Sequence, residues 1–77
     1  MSKRLISEDE NGVYVQTGGY VFRPIPENKD CKIKAGEHVT ATHIGGSTAA
    51  RVGNEVWFSN YSDPRYIEYG KRMGYIK

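Results

Sequence analysis

A chain of 77 residues with a net charge of only +2 is one small domain with a thin core, near the size below which folds need disulfides or metals. A single cysteine, Cys31, excludes an internal disulfide, and no apolar run approaches the roughly 20 residues of a membrane-spanning helix. With no secretory apolar region near Met1, the sequence predicts a soluble protein of the reducing cytoplasm. The basic excess sits after Arg65, where Arg65, Lys71, Arg72 and Lys77 stand against Glu68 alone, too little to call for a nucleic-acid partner by itself.

Residues 1–11 mix both charges around Leu5 and Ile6 and end in the turn-forming Asn11-Gly12. They are expected to be a flexible arm ahead of a single β-domain over residues 12–77. A two-residue turn at Gly18-Gly19 then pairs Thr17 with Tyr20, Val15 with Phe22 and Val13 with Pro24. This places Val13, Val15, Tyr20 and Phe22 on one face and Tyr14, Gln16, Val21 and Arg23 on the other, the alternation of a half-buried sheet.

Pro24 to Asp30 contains two prolines and turn-forming residues, and reads as a surface loop. Cys31-Lys32-Ile33-Lys34 alternates apolar and basic residues, which predicts a short strand ending at Ala35-Gly36. His38–Ile44, Ser47–Val52 and Glu55–Ser59 follow as a three-strand meander, with tight turns at Gly45-Gly46 and Gly53-Asn54 setting its register.

That register gives one face Val39, Ala41, Ala50, Val52 and Trp57, with His43, Thr48 and Glu55. The other receives Ile44, Ala49, Val56 and Phe58, with Thr40, Thr42 and Arg51. Apolar residues on both faces require a cover for the second. The carboxyl-terminal segment supplies one: Asp63 is a good N-cap, Pro64 suits the first helical position, and Gly74 can end a helix over 64–73. Tyr66, Tyr69, Gly70 and Met73 share one side of that helix, and Arg65, Glu68, Lys71 and Arg72 the other.

The expected fold is therefore mainly β, an antiparallel meander sheet of five to six strands, or the small antiparallel barrel implied by the resemblance that follows, with a short carboxyl-terminal α-helix. From Lys34 to Tyr61 the order of Lys34-Ala35-Gly36-Glu37, Ala50-Arg51, Trp57-Phe58 and Asn60-Tyr61 resembles the Src-homology-3 (SH3-like) small β-barrel. The resemblance implies barrel architecture, and Tyr61 matches the tyrosine that lines the family's peptide groove. The early Ala-Leu-Tyr-Asp-Tyr motif, the groove tryptophan near Thr48 and the proline before Ser-Asn-Tyr are missing, which separates this chain from the polyproline binders.

The residue inventory points away from catalysis. His38 and His43 are five apart in one predicted strand and face opposite ways, so they cannot share a metal. Cys31 has no nucleophile signature around it, and the glycine pairs precede strands rather than the helix that a phosphate loop needs. The expectation is a non-enzyme without cofactor or metal.

A binding role remains. In the first form the chain is a protein-interaction module, or a compact accessory or inhibitor protein of the kind mobile elements carry. It would hold a larger protein partner through Ile44, Val56, Phe58, Tyr61 and the loop residue Pro26, or pair with itself through an exposed edge strand. In the alternative it binds nucleic acid, with Arg51, Arg65, Lys71 and Arg72 on phosphates and Tyr14, Trp57 or Tyr75 stacking on bases.

Overall fold

The computed structural model describes residues 3–25, 31–44 and 48–76. In chain order these form β1 (Arg4–Leu5), β2 (Ser7–Asp9), β3 (Gly12–Thr17), β4 (Tyr20–Phe22), β5 (His38–Val39), β6 (Ala41–His43), β7 (Ala49–Val52), β8 (Glu55–Phe58) and α1 (Pro64–Met73). The fold is mainly β with one short carboxyl-terminal helix. Its strands make three small antiparallel sheets, β1-β5, β2-β3-β4 and β6-β7-β8, and the ladders do not close into a continuous barrel.

The first hairpin has the predicted register, with Thr17 opposite Tyr20 and Val15 opposite Phe22. Gly18 and Gly19 turn it with φ of +59° and +83°, a backbone that residues with a Cβ resist. The β7-β8 hairpin also matches, Val52 opposite Glu55 and Ala49 opposite Phe58.

The β6-β7 connection differs. His43 stands opposite Ala50 and Ala41 opposite Val52, and the Ile44 amide donates to the Ala49 carbonyl at 3.0 Å. This leaves residues 45–48 between the strands, where a two-residue turn at Gly45-Gly46 would pair Ile44 with Ser47. The slip is by two positions, and because side chains alternate with a period of two, every residue keeps its expected face. Gly45 and Gly46 themselves lie outside the described residues.

Three further expectations are corrected. The predicted flexible arm contributes β1 and β2: Arg4 pairs with Val39, Ser7 pairs with Tyr14, and Ile6 between them is only 1 % exposed. Ile6 is held on both backbone groups, donating to the Glu37 carbonyl at 2.9 Å and accepting from the Gly36 amide at 2.8 Å. The buried Ile6 side chain and these two ladders together hold the polar segment against the core.

Cys31–Lys34, expected as a strand, has no ladder. The Lys34 amide instead donates to the Glu37 side chain at 2.6 Å, although Ile33 still points inward. The segment expected as one strand from His38 to Ile44 is divided at Thr40 into β5 and β6, because its pairing partner changes there from β1 to β7.

Two apolar clusters hold the molecule. The larger joins Ile6, Val13, Val15, Phe22, Ile33, Ala50, Val52 and Trp57, with Val39 of β5 packed against it, and so draws on all three sheets and on the Cys31–Lys34 segment. The smaller lies on the opposite face of β6-β7-β8, where Ala49, Phe58 and Tyr66 pack with Ile44, Val56, Tyr61, Tyr69 and Ile76. The carboxyl-terminal helix therefore covers the second face of the meander. An isolated pair at Arg23 and Phe58, bonded both ways at 3.0 and 2.9 Å, ties the end of β4 to β8.

Candidate functional site

Helix α1 is placed by its amino-terminal turn. Asp63 caps it, accepting from the Arg65 amide at 2.8 Å, and Pro64 occupies the first position, where no amide donor is required. The same carboxylate accepts from the Thr48 hydroxyl and from Arg65 Nη2 at 2.9 Å. Arg65 extends further, donating to Thr48 Oγ1 at 2.6 Å and to the Ile44 carbonyl at 2.8 Å. The Arg65 guanidinium, followed by the Thr48 hydroxyl, holds the Asp63 carboxyl well below the usual carboxylate range.

This latch settles the environment of the residues expected to bind a protein. Phe58 is 2 % exposed and stacks edge-on against Tyr66, ring centroids 5.2 Å apart. Ile44 and Val56 are half-buried beneath the helix. Tyr61 packs on Tyr66 at 4.7 Å, and its hydroxyl is buried without a partner among the described residues. That hydroxyl is turned inward, and burial raises its pKa. The patch is thus a core between helix and sheet, and Phe58 in particular is unavailable as a contact. Pro26 lies outside the described residues.

The basic residues of the nucleic-acid alternative are dispersed in role. Arg51, Lys71 and Arg72 are exposed, and the Arg72 guanidinium lies 5.8 Å from the Tyr69 ring centroid. Arg65 is committed to the latch. Tyr75 is half-buried, Tyr14 lies under the Arg23 guanidinium at 5.2 Å, and Trp57 is fully buried. Trp57 donates its indole N–H to Glu55 Oε1 at 3.1 Å and so serves the core rather than a base stack.

A comparison with protein-family models, curated proteins and solved structures finds no match. The surface must be read from its own chemistry. No three of His, Cys, Asp and Glu come together as a metal site among the described residues. Cys31 is half-buried, and burial raises the pKa of its thiol, the opposite of what an activated nucleophile needs. No described helix is long and apolar enough to cross a membrane.

Two surface features remain: an open strand edge, which the sequence suggests without saying which strand supplies it, and a cavity that sequence reasoning missed. The first is the outer edge of β4. Thr17 and Tyr20 close a two-residue hairpin as a hydrogen-bonded pair, so in antiparallel alternation the amide and carbonyl of Val21 point away from β3. The Arg23–Phe58 pair is the point where this edge meets β8. Beyond it, β4 runs past the end of β8, leaving the Val21 backbone open among the described residues. Beside that edge, Tyr20 and Val21 are 43 % and 38 % exposed.

The second is a cavity of about 440 Å³ at the carboxyl end of α1, lined by Lys32, Ile33, Val39, Glu55, Tyr69 and Met73, with Tyr75 and the Gly53-Asn54 turn. Gly74 adopts a left-handed conformation, φ +85°, and sends the chain back so that the Tyr75 amide donates to the Gly70 carbonyl at 2.7 Å. That reversal puts the Tyr75 ring 6.2 Å from the Tyr69 ring. The turn at Gly74 thereby supplies one wall of the cavity, the Tyr75 ring.

Proposed function

We propose that this protein is a small non-catalytic interaction module that docks an extended segment of a larger protein along the open edge of β4. The SH3-like resemblance of residues 34–61 accords with such a role, since small β-folds of that kind commonly serve recognition. The observation that carries the reading is the open Val21 backbone flanked by the exposed side chains of Tyr20 and Val21. Strand addition takes its affinity from main-chain hydrogen bonds and its selectivity from the side chains beside them. Phe58, expected from sequence to meet the partner, is instead packed under α1.

The test is a photo-crosslinking residue at position 21 in the full chain, with the captured product identified by mass. One heterologous protein, lost on Tyr20→Asp with the fold retained, supports the reading. A self-crosslink matched by a dimer in sedimentation assigns the edge to a second copy and rejects the partner. Capture of nucleic acid with steep salt dependence would favour the alternative instead.

A further inference from the structure

The cavity beside α1 lies apart from β4, since none of Tyr20–Phe22 lines it. Its walls divide into two kinds. Ile33, Val39 and Met73 with the rings of Tyr69 and Tyr75 make an apolar wall of a cleft open on one side, with Met73 51 % exposed at the lip. Lys32 and Glu55 add one positive and one negative charge to the same space, yet no ion pair joins them.

Glu55 is fixed in place. Its Oε1 accepts from the Trp57 indole at 3.1 Å and lies 4.0 Å from Cys31 Sγ, so the carboxylate is oriented by the core while its residue is only half-buried. Lys32 is exposed and free to follow a ligand. Tyr69 remains a neutral phenol, its pKa raised first by burial and then by Tyr75 and Glu55, and can donate a hydrogen bond. A volume of this size falls in the range of small-molecule sites, which join apolar walls to a few placed polar groups.

We propose that this cavity binds a free α-amino acid with an apolar side chain, its ammonium on Glu55, its carboxylate toward Lys32 and its side chain among Met73, Tyr69 and Tyr75. Opposite charges that line one cavity without meeting are each satisfied by a zwitterion, whereas a purely cationic or purely anionic ligand leaves one of them opposed. The apolar walls choose the side chain.

The experiment titrates the full-length protein with L-leucine, N-acetyl-L-leucine and L-leucine methyl ester, followed by NMR at the Met73 methyl and the Tyr69 and Tyr75 rings. Leucine is expected to shift these signals, and blocking either end to weaken binding about tenfold or more, each tenfold being about 1.4 kcal/mol. Glu55→Gln keeps an acceptor for Trp57 and is expected to erase the difference between leucine and its N-acetyl form. Lys32→Gln is expected to erase the difference between leucine and its ester. Failure of leucine to move these signals up to about 10 mM, a ceiling corresponding to very weak binding, overturns the proposal, as does equal binding of the three compounds. The ligand series on the unaltered chain decides this even if a variant fails to fold, and its outcome is independent of crosslinking at position 21.

Discussion

A Cβ placed on Gly70 would fall 2.5 Å from Ile76 Cδ1 and 2.7 Å from its Cγ1, so the returning tail of the chain rests directly on the helix backbone at Gly70. Ile76 in turn belongs to the cluster under α1. The helix and the two residues after its cap are one packing unit.

A sign reversal follows for Gly70→Ala. Alanine gains about 1 kcal/mol over glycine in a helix interior, but here its methyl must displace Ile76, and overpacking of this kind costs about 1–3 kcal/mol. Urea denaturation is expected to show Gly70→Ala as destabilising in the natural chain and stabilising in an Ile76→Ala background. The same sign in both backgrounds would mean that the tail does not rest there.

Asp63 ties α1 to the sheet and sets a pH dependence. Its carboxyl titrates lower in the folded protein than in the unfolded chain, so its stabilisation is complete above the unfolded value of about 3.9. That contribution is lost as pH falls below it toward the depressed folded value. The urea midpoint is expected to drop on acidification below about pH 4, and Asp63→Asn, which still caps, to flatten that drop. Asp63→Ala, which removes the cap, is expected to cost about 1 kcal/mol at neutral pH.

Much of this architecture was legible because its signals are local. Asp63, Pro64 and Gly74 mark the helix ends through capping chemistry alone, and Gly18-Gly19 and Gly53-Asn54 set two registers that the structure keeps. Apolar residues on both faces of the meander required a cover, and α1 provides it. What escaped depends on distant partners. Ile6 sits among charged residues and gives no periodic signal, while its burial needs Gly36 and Glu37, some thirty residues away. The Cys31–Lys34 alternation is real in burial but finds no strand to pair with. At the candidate site the sequence marks Phe58 and Tyr61 as apolar surface of the meander, and a helix or a partner covering them leaves the same residue pattern. Gly74 marks where the chain turns, but which residues that turn brings round the cavity, and where β4 outruns β8, depend on distant partners.

Tyr61 provides a test of that distinction. Its hydroxyl is buried without a partner among the described residues, and an unpaired buried hydroxyl opposes folding by about 1–3 kcal/mol. Tyr61→Phe is expected to leave thermal stability unchanged or raise it. A loss above about 1 kcal/mol would show that the hydroxyl makes a bond worth keeping.

Gly18 carries two constraints and Gly19 one. A Cβ at Gly18 would meet His43 Cε1 at 2.6 Å, whereas at Gly19 it would meet open space. Both have positive φ, a strain of about 1 kcal/mol for alanine. Chemical denaturation is expected to rank Gly18→Ala as more costly than Gly19→Ala, and His43→Ala to narrow the gap. Equal costs would place His43 away from the turn.

The chain's own helix covers the second face of the meander, which makes Phe58 a core residue. The most direct measurement is the set of ring-to-ring NOEs of Phe58 in the free protein. Strong cross-peaks to Tyr66 and Tyr69, whose centroids lie 5.2 and 6.0 Å away, are predicted; their absence, with a solvent-exposed Phe58, would contradict the account.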